Sequence, residues 1–150
     1  IFFVFLSEYV VVDPDAPYYS LSVAGLTAIS YTLFFVLAVA LNIGGVRLYI
    51  LLPALFIASA FTSLRILHLW MSGKWEFAWS LGIGLVIMQL AAALHYWPLT
   101  PVQFGLSLIG PLYAMVNLVV NLGENVSMRR AVLEPVIVAA LSWGLAIFIR

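Results

Sequence analysis

The stretch that decides the fold is RLYILLPALFIASAFTSLRILHLW, residues 47–70. Its basic side chains are Arg47 at the start and Arg65 and His68 toward the end; the rest is almost wholly apolar or small. A helix over this stretch would be about 36 Å long, which exceeds the roughly 30 Å hydrocarbon core of a bilayer. The stretch therefore predicts a transmembrane helix and leaves the role of Arg65 and His68 to be explained.

The whole chain has the same character. Of its 150 residues, 65% are hydrophobic and 8% are charged, whereas a soluble domain carries about 25% charged residues. A soluble fold of this size could not bury so much apolar surface, so the composition predicts an integral membrane protein. The net charge of zero does not favour a nucleic-acid partner, and the absence of cysteine excludes disulfides and thiolate metal sites.

Short breakers rich in Gly, Pro and charged residues divide the chain into helices. We predict an all-α bundle of five full transmembrane helices plus a partial N-terminal sixth, in one polytopic domain over residues 1–150. The partial helix rests on the first 12 residues, which would extend only about 18 Å. A signal peptide fits them less well because no basic segment or cleavage site is visible. The predicted spans are 1–12 (partial), 20–42, 47–70, 77–97, 101–123 and 128–149.

Helices joined by short links must alternate in direction, so every link lies on one of two sides of the membrane. Side A receives the links 13–19, 71–76 and 124–134, and side B receives the links 43–46 and 98–100. Ten of the 12 charged residues lie on or near side A, including four of the six basic ones. The positive-inside rule then predicts that side A is cytoplasmic. We expect the membrane to be a bacterial inner or plasma membrane. Charged residues on this side include Asp13, Lys74, Arg129 and Arg130.

The span 101–123 has one helix face made only of small and polar residues, which we call the polar seam. Lipid does not favour such a face, so it predicts either a helix-packing seam or the lining of a solute pocket or polar path. Pro111 should kink this helix or free a carbonyl group. Gln89, the lone mid-membrane amide of the preceding span, is grouped with the seam as a partner of Asn117. The seam residues are Gln103, Ser107, Gly110, Ala114, Asn117 and Asn121, and Glu124 continues their spacing.

Arg65, His68 and Glu124 are the candidates for binding a ligand or a lipid headgroup. Arg65 lies about 7.5 Å from Trp70 along the helix axis, so its side chain can reach the membrane interface. We expect it to pair with an acidic residue or a lipid phosphate; the acidic candidates are Glu8, Glu124 and Glu134.

The two histidines raise the question of a pigment or haem. His68 and His95 would lie about 27 Å apart, so one haem could not use both as axial ligands. We predict no cofactor, and a pigment or haem held by a single histidine stays as an alternative.

The sequence contains no recognisable catalytic or metal-binding motif, and the close pair Asp13 and Asp15 is explained by a Pro-rich turn. We therefore predict no catalytic or metal-binding residues. The first hypothesis is a non-catalytic structural or accessory subunit of a larger membrane complex. The second is a binding or transport protein for a lipid or small hydrophobic solute, and the third is a pigment- or haem-associated subunit of an energy-transducing complex. The expected partners are membrane lipids and other membrane subunits or further copies of the chain.

Overall fold

The computed structural model describes residues 19–71, 75–123 and 128–148. Regular structure in these residues is wholly helical, and four of the helices are long and apolar enough to cross a membrane. The all-α fold with apolar helices of membrane-spanning length is therefore confirmed. The partial helix predicted for residues 1–12 lies outside the described residues. The helices are α1 Tyr19–Ile43, α2 Leu48–Trp70, α3 Phe77–His95, α4 Pro101–Gly123 and α5 Met128–Phe148.

The fifth helix differs from the other four. Its apolar part, Val132–Phe148, is shorter than the four long segments. Arg129 and Arg130 lie in its first turn, and Glu134 follows one turn later. The count of five full spans is thus not established by helix length and composition.

A glycine pair ends α1 and turns the chain into α2. Gly45 has φ of +57°, a left-handed conformation that glycine adopts without strain. Its N–H donates to the Asn42 carbonyl at 3.1 Å, and the N–H of Val46 donates to the Leu41 carbonyl at 3.4 Å. This pair of bonds is the Schellman motif, which satisfies carbonyls left open at a helix end. The reversal therefore needs only a few residues.

Helix α4 is central to the bundle because it contacts all four of the other described helices. Helix α2 pairs with α3, α1 lies against α2 and α4, and α5 packs mainly on α4. The shared core is apolar and fully buried. Its largest members include Phe34, Leu51, Leu55, Ile83, Ile87, Phe104, Leu108 and Leu112.

Small residues bring α2 and α3 close together. Ser80 and Gly84 are buried on α3, one turn apart, as a small-x-x-x-small contact. A Cβ atom at Gly84 would lie 3.1 Å from both the Cβ of Ala60 and the carbonyl oxygen of Phe56. The hydroxyl of Ser63 reaches across to the carbonyl of Ser80 at 3.4 Å. The buried face of α3 is thereby turned toward α2.

Candidate functional site

Gln103, the first residue of the polar seam, caps the start of its own helix. Its Oε1 accepts a hydrogen bond from the backbone N–H of Thr100 at 2.7 Å, and Thr100 Oγ1 accepts one from the backbone N–H of Gln103 at 3.3 Å. This reciprocal pair is a capping box, with Pro101 at the first helical position. The pattern Thr-x-x-Gln at 100–103 is the sequence signal of this cap, whereas Gln103 was predicted only as part of the seam.

The next seam residue, Ser107, is tied to α5 through its backbone. Pro111 has no N–H, so the Ser107 carbonyl four residues earlier lacks its helical donor. The indole Nε1 of Trp143 on α5 donates to that carbonyl at 3.1 Å. The freed carbonyl was predicted from Pro111, whereas its donor on α5, Trp143, was not predicted.

Gly110 marks a very close approach of α4 to α5. A Cβ atom built there would overlap Ser142 and lie 3.6 Å from the Cα of Ala139. Ala114, one turn further along α4, is also buried. Ser107 and Gly110 therefore lie at the contact between α4 and α5.

The second part of the seam has a different environment. Asn117 and Asn121 are half-buried, and neither forms a side-chain hydrogen bond with any residue the structure describes. The predicted hydrogen bond between Gln89 and Asn117 is likewise not found among those residues. Glu124 lies outside the described residues.

Gln89 is exposed on the side of α3 that faces away from the bundle. The reason is helical geometry: Ile87 is fully buried against the core, and Gln89 is about 200° further around the helix. The residues that share its side are exposed too, and we call this set the outer face of α3. It consists of Ala78, Gly82, Leu85 and Gln89.

Aromatic rings lie around His68, near the end of α2. The His68 ring stacks on Trp75 with centroids 4.1 Å apart and planes at 23°, and Trp75 stacks on Phe77 at 6.0 Å. The Nδ1 atom of His68 is buried and has no hydrogen-bond partner among the described residues. Nearby, the indole of Trp70 donates to the Thr27 hydroxyl at 3.2 Å, which joins α2 to α1.

The other candidate residues that the structure describes lie on three different helices. Arg65 is half-buried and takes part in a non-covalent interaction. Glu134 is exposed on α5, and Glu8 lies outside the described residues. His95 is the last residue of α3, and its ring lies nearly perpendicular to that of Tyr96, with the centroids 5.5 Å apart. Within the described ranges, no three His, Asp or Glu side chains come together as metal ligands.

Two further features were not anticipated from the sequence. Tyr31 and Tyr113 meet halfway along α1 and α4, with ring centroids 5.6 Å apart; nothing local in either helix announces the pairing. An apolar cleft of about 240 Å³ lies between α3, α4 and α5. We call it the α3–α5 cleft, and its lining includes Leu90, Met115 and Val136.

Comparison with known proteins yields a family but no activity. No curated protein and no solved structure matches the chain. A family model described as "protein of unknown function (DUF5656)" matches residues 1–149 of the 150. The chain is therefore a member of the DUF5656 family.

Proposed function

We propose that this chain is a non-catalytic structural or accessory subunit of a larger membrane complex. The single observation that carries the proposal is the exposure of Gln89 on the outer face of α3. Gln89 lies about 18 Å along the helix axis from Phe77 and about 9 Å from His95, well inside the depth of a bilayer core.

An amide in that position needs a hydrogen-bond partner. Lipid chains offer no donor or acceptor, and an unpaired polar group in hydrocarbon costs several kcal/mol. The described part of this chain supplies no partner to Gln89. A helix of another protein chain against the outer face of α3 would supply one.

The proposed topology is the one that the sequence predicts. All five helices span the membrane, α5 included, and residues 1–12 add the partial sixth. The membrane is a bacterial inner or plasma membrane, and side A, with Asp13, Lys74, Arg129 and Arg130, faces the cytoplasm. The antiparallel pairing of α2 with α3, in which Ala60 meets Gly84 and Ser63 meets Ser80, supports the alternation of helix direction on which this topology depends.

Photocrosslinking in native membranes tests the proposal. A photoreactive amino acid replaces Leu85 on the outer face of α3, and the matched control replaces Leu33, which is exposed on α1. We expect a protein adduct from position 85 and only lipid adducts from position 33. Lipid adducts alone at both positions would contradict the proposal.

A second candidate is favoured by the α3–α5 cleft: a binding or transport protein for a lipid or small hydrophobic solute. The cleft is lined by apolar side chains from three helices, which suits an acyl chain better than a polar solute. Arg65, His68 and Glu124 remain the candidates for the headgroup on this hypothesis.

Filling the cleft separates the two candidates. Val136 lines it and is 56% exposed, whereas its neighbour Ile137 is 54% exposed and is not in the lining. On the lipid-binding hypothesis, Val136→Phe lowers the amount of lipid per chain found by mass spectrometry after purification, and Ile137→Phe does not. Equal lipid content in the two variants would contradict the lipid-binding hypothesis.

A further inference from the structure

We propose that the chain covering the outer face of α3 is a second copy of this protein, docked through a parallel contact between the two α3 helices. This inference rests on the proposed function, because it names the partner that covers the same face. The amide of Gln89 carries it, and the spacing of its neighbours sets the geometry.

The outer face of α3 follows the spacing of a two-helix seam. Ala78, Gly82, Leu85 and Gln89 are separated by four, three and four residues, and all four are exposed. An average step of 3.5 residues keeps a seam facing its partner when two helices wind around each other with a left-handed twist. The opposite side of α3, which includes Ser80, is already occupied by α2.

Glycine allows the two backbones to approach. A Cβ atom at Gly82 would meet no atom of the chain within 4 Å, so the space outside it is open. Gly82 lies seven residues before Gln89, which places both at equivalent positions of successive heptads. Small residues in such places are typical of contacts between transmembrane helices.

A second copy would supply Gln89 with a hydrogen-bond partner of the same kind. Two copies inserted in the same orientation are related by a two-fold axis along the membrane normal, so their α3 helices run parallel. The axis places Gln89 opposite Gln89 of the other copy. Because an amide has both a donor and an acceptor, each can donate to the other and accept from it. A single polar side chain at such a position fixes the register of a parallel pair.

Cysteine crosslinking tests the contact directly. The chain contains no cysteine, so each single-cysteine variant reports one position without background. Gly82→Cys and Leu85→Cys lie on the outer face of α3. In the proposed dimer, the Cα atoms of the two copies at each of these positions lie within the roughly 4–7 Å that a disulfide needs. Leu81→Cys is the control, since Leu81 is 51% exposed but does not belong to the outer face of α3. We expect oxidation in membranes to give covalent dimers at positions 82 and 85 and few at 81.

The strength of self-association tests the role of the amide. Two interhelical hydrogen bonds in a membrane correspond to about a 5- to 10-fold change in a dissociation constant. We expect Gln89→Leu to raise the dimer dissociation constant by that factor, measured by energy transfer between labelled copies diluted in liposomes. Thr32→Val is the control, because Thr32 is exposed on α1 but its hydroxyl already donates to the Ala28 carbonyl at 2.8 Å.

Four results would overturn the inference. The first is crosslinking at 82 and 85 no stronger than at 81, and the second is a dissociation constant unchanged by Gln89→Leu. The third is capture of only a different protein by the photoreactive residue at position 85, which would refute the second copy and leave the proposed function standing. The fourth is the absence of any protein adduct at position 85, which would refute both the second copy and the proposed function.

Discussion

The hydrogen bond between α5 and the interrupted backbone of α4 makes a quantitative prediction. Trp143 Nε1 donates to the Ser107 carbonyl at 3.1 Å, and Ser107 is only 6% exposed. The carbonyl needs this donor because Pro111 supplies none. Replacing Trp143 with Phe should therefore leave a buried carbonyl without a partner.

The magnitude follows from two contributions. Interhelical hydrogen bonds in membranes are worth about 0.6 kcal/mol on average and up to about 1.7 kcal/mol, and a buried group left unpaired costs about 1–3 kcal/mol. We expect Trp143→Phe to lower the free energy of unfolding by about 1–2 kcal/mol through the lost bond. The smaller ring adds a packing loss that does not depend on Pro111.

A double-mutant cycle with Pro111→Ala isolates the bond. Alanine restores an N–H at position 111, which can donate to the Ser107 carbonyl within the helix. In that background Trp143→Phe should cost only the packing loss. The coupling between the two substitutions is then about 1 kcal/mol, or about a five-fold difference in the unfolding equilibrium constant.

The assay is reversible unfolding in mixed micelles with rising dodecyl sulfate, followed by circular dichroism. Trp97→Phe is the matched control. Trp97 and Trp143 line one pocket together, but the indole of Trp97 makes no hydrogen bond to a described residue. Its effect should be the same with Pro or Ala at position 111. If Trp143→Phe also costs the same in both backgrounds, within about 0.3 kcal/mol, the bond does not stabilise the protein as argued.

Two further predictions use the same unfolding assay. Gly110→Ala should destabilise the protein by about 1–3 kcal/mol, because the new methyl group overlaps Ser142. Gly144→Ala, the control, adds a methyl group in open space and should stabilise the protein by up to about 1 kcal/mol. Two effects of the same sign would refute the close α4–α5 contact. Thr100→Ala should cost about 0.5–2 kcal/mol by breaking the capping box, while Thr100→Ser keeps the hydroxyl and most of the stability; equal stability of the two variants would contradict that role.

The helix ends could be read from local signals. The Gly-Gly pair at 44–45 and Pro101 mark where helices end and begin because they act through their own backbone. The carbonyl freed by Pro111 was predictable for the same reason. Its donor was not, since Trp143 lies 36 residues away on another helix and the sequence does not say how the two helices are rotated against each other.

The sequence predicts the depth of Gln89 in the membrane but not which side of α3 faces the bundle. Counting residues gives its depth in the membrane, and that depth alone suggested Asn117 as a partner. In a soluble protein, apolar residues would mark the inner side of α3. Here both the core and the surrounding lipid are apolar, so residues as similar as Ile87 and Leu85 face opposite environments.

The central place of α4 has a consequence for biogenesis. A ribosome delivers α1, α2 and α3 before α4 exists, yet buried residues of the earlier helices, such as Phe34, Leu55 and Ile87, belong to the same core as α4. Until residues 101–123 enter the membrane, that surface must be covered by lipid or by the insertion machinery. The late arrival of α4 makes the final packing of the earlier helices a step that follows their insertion, and α5 can dock only after that.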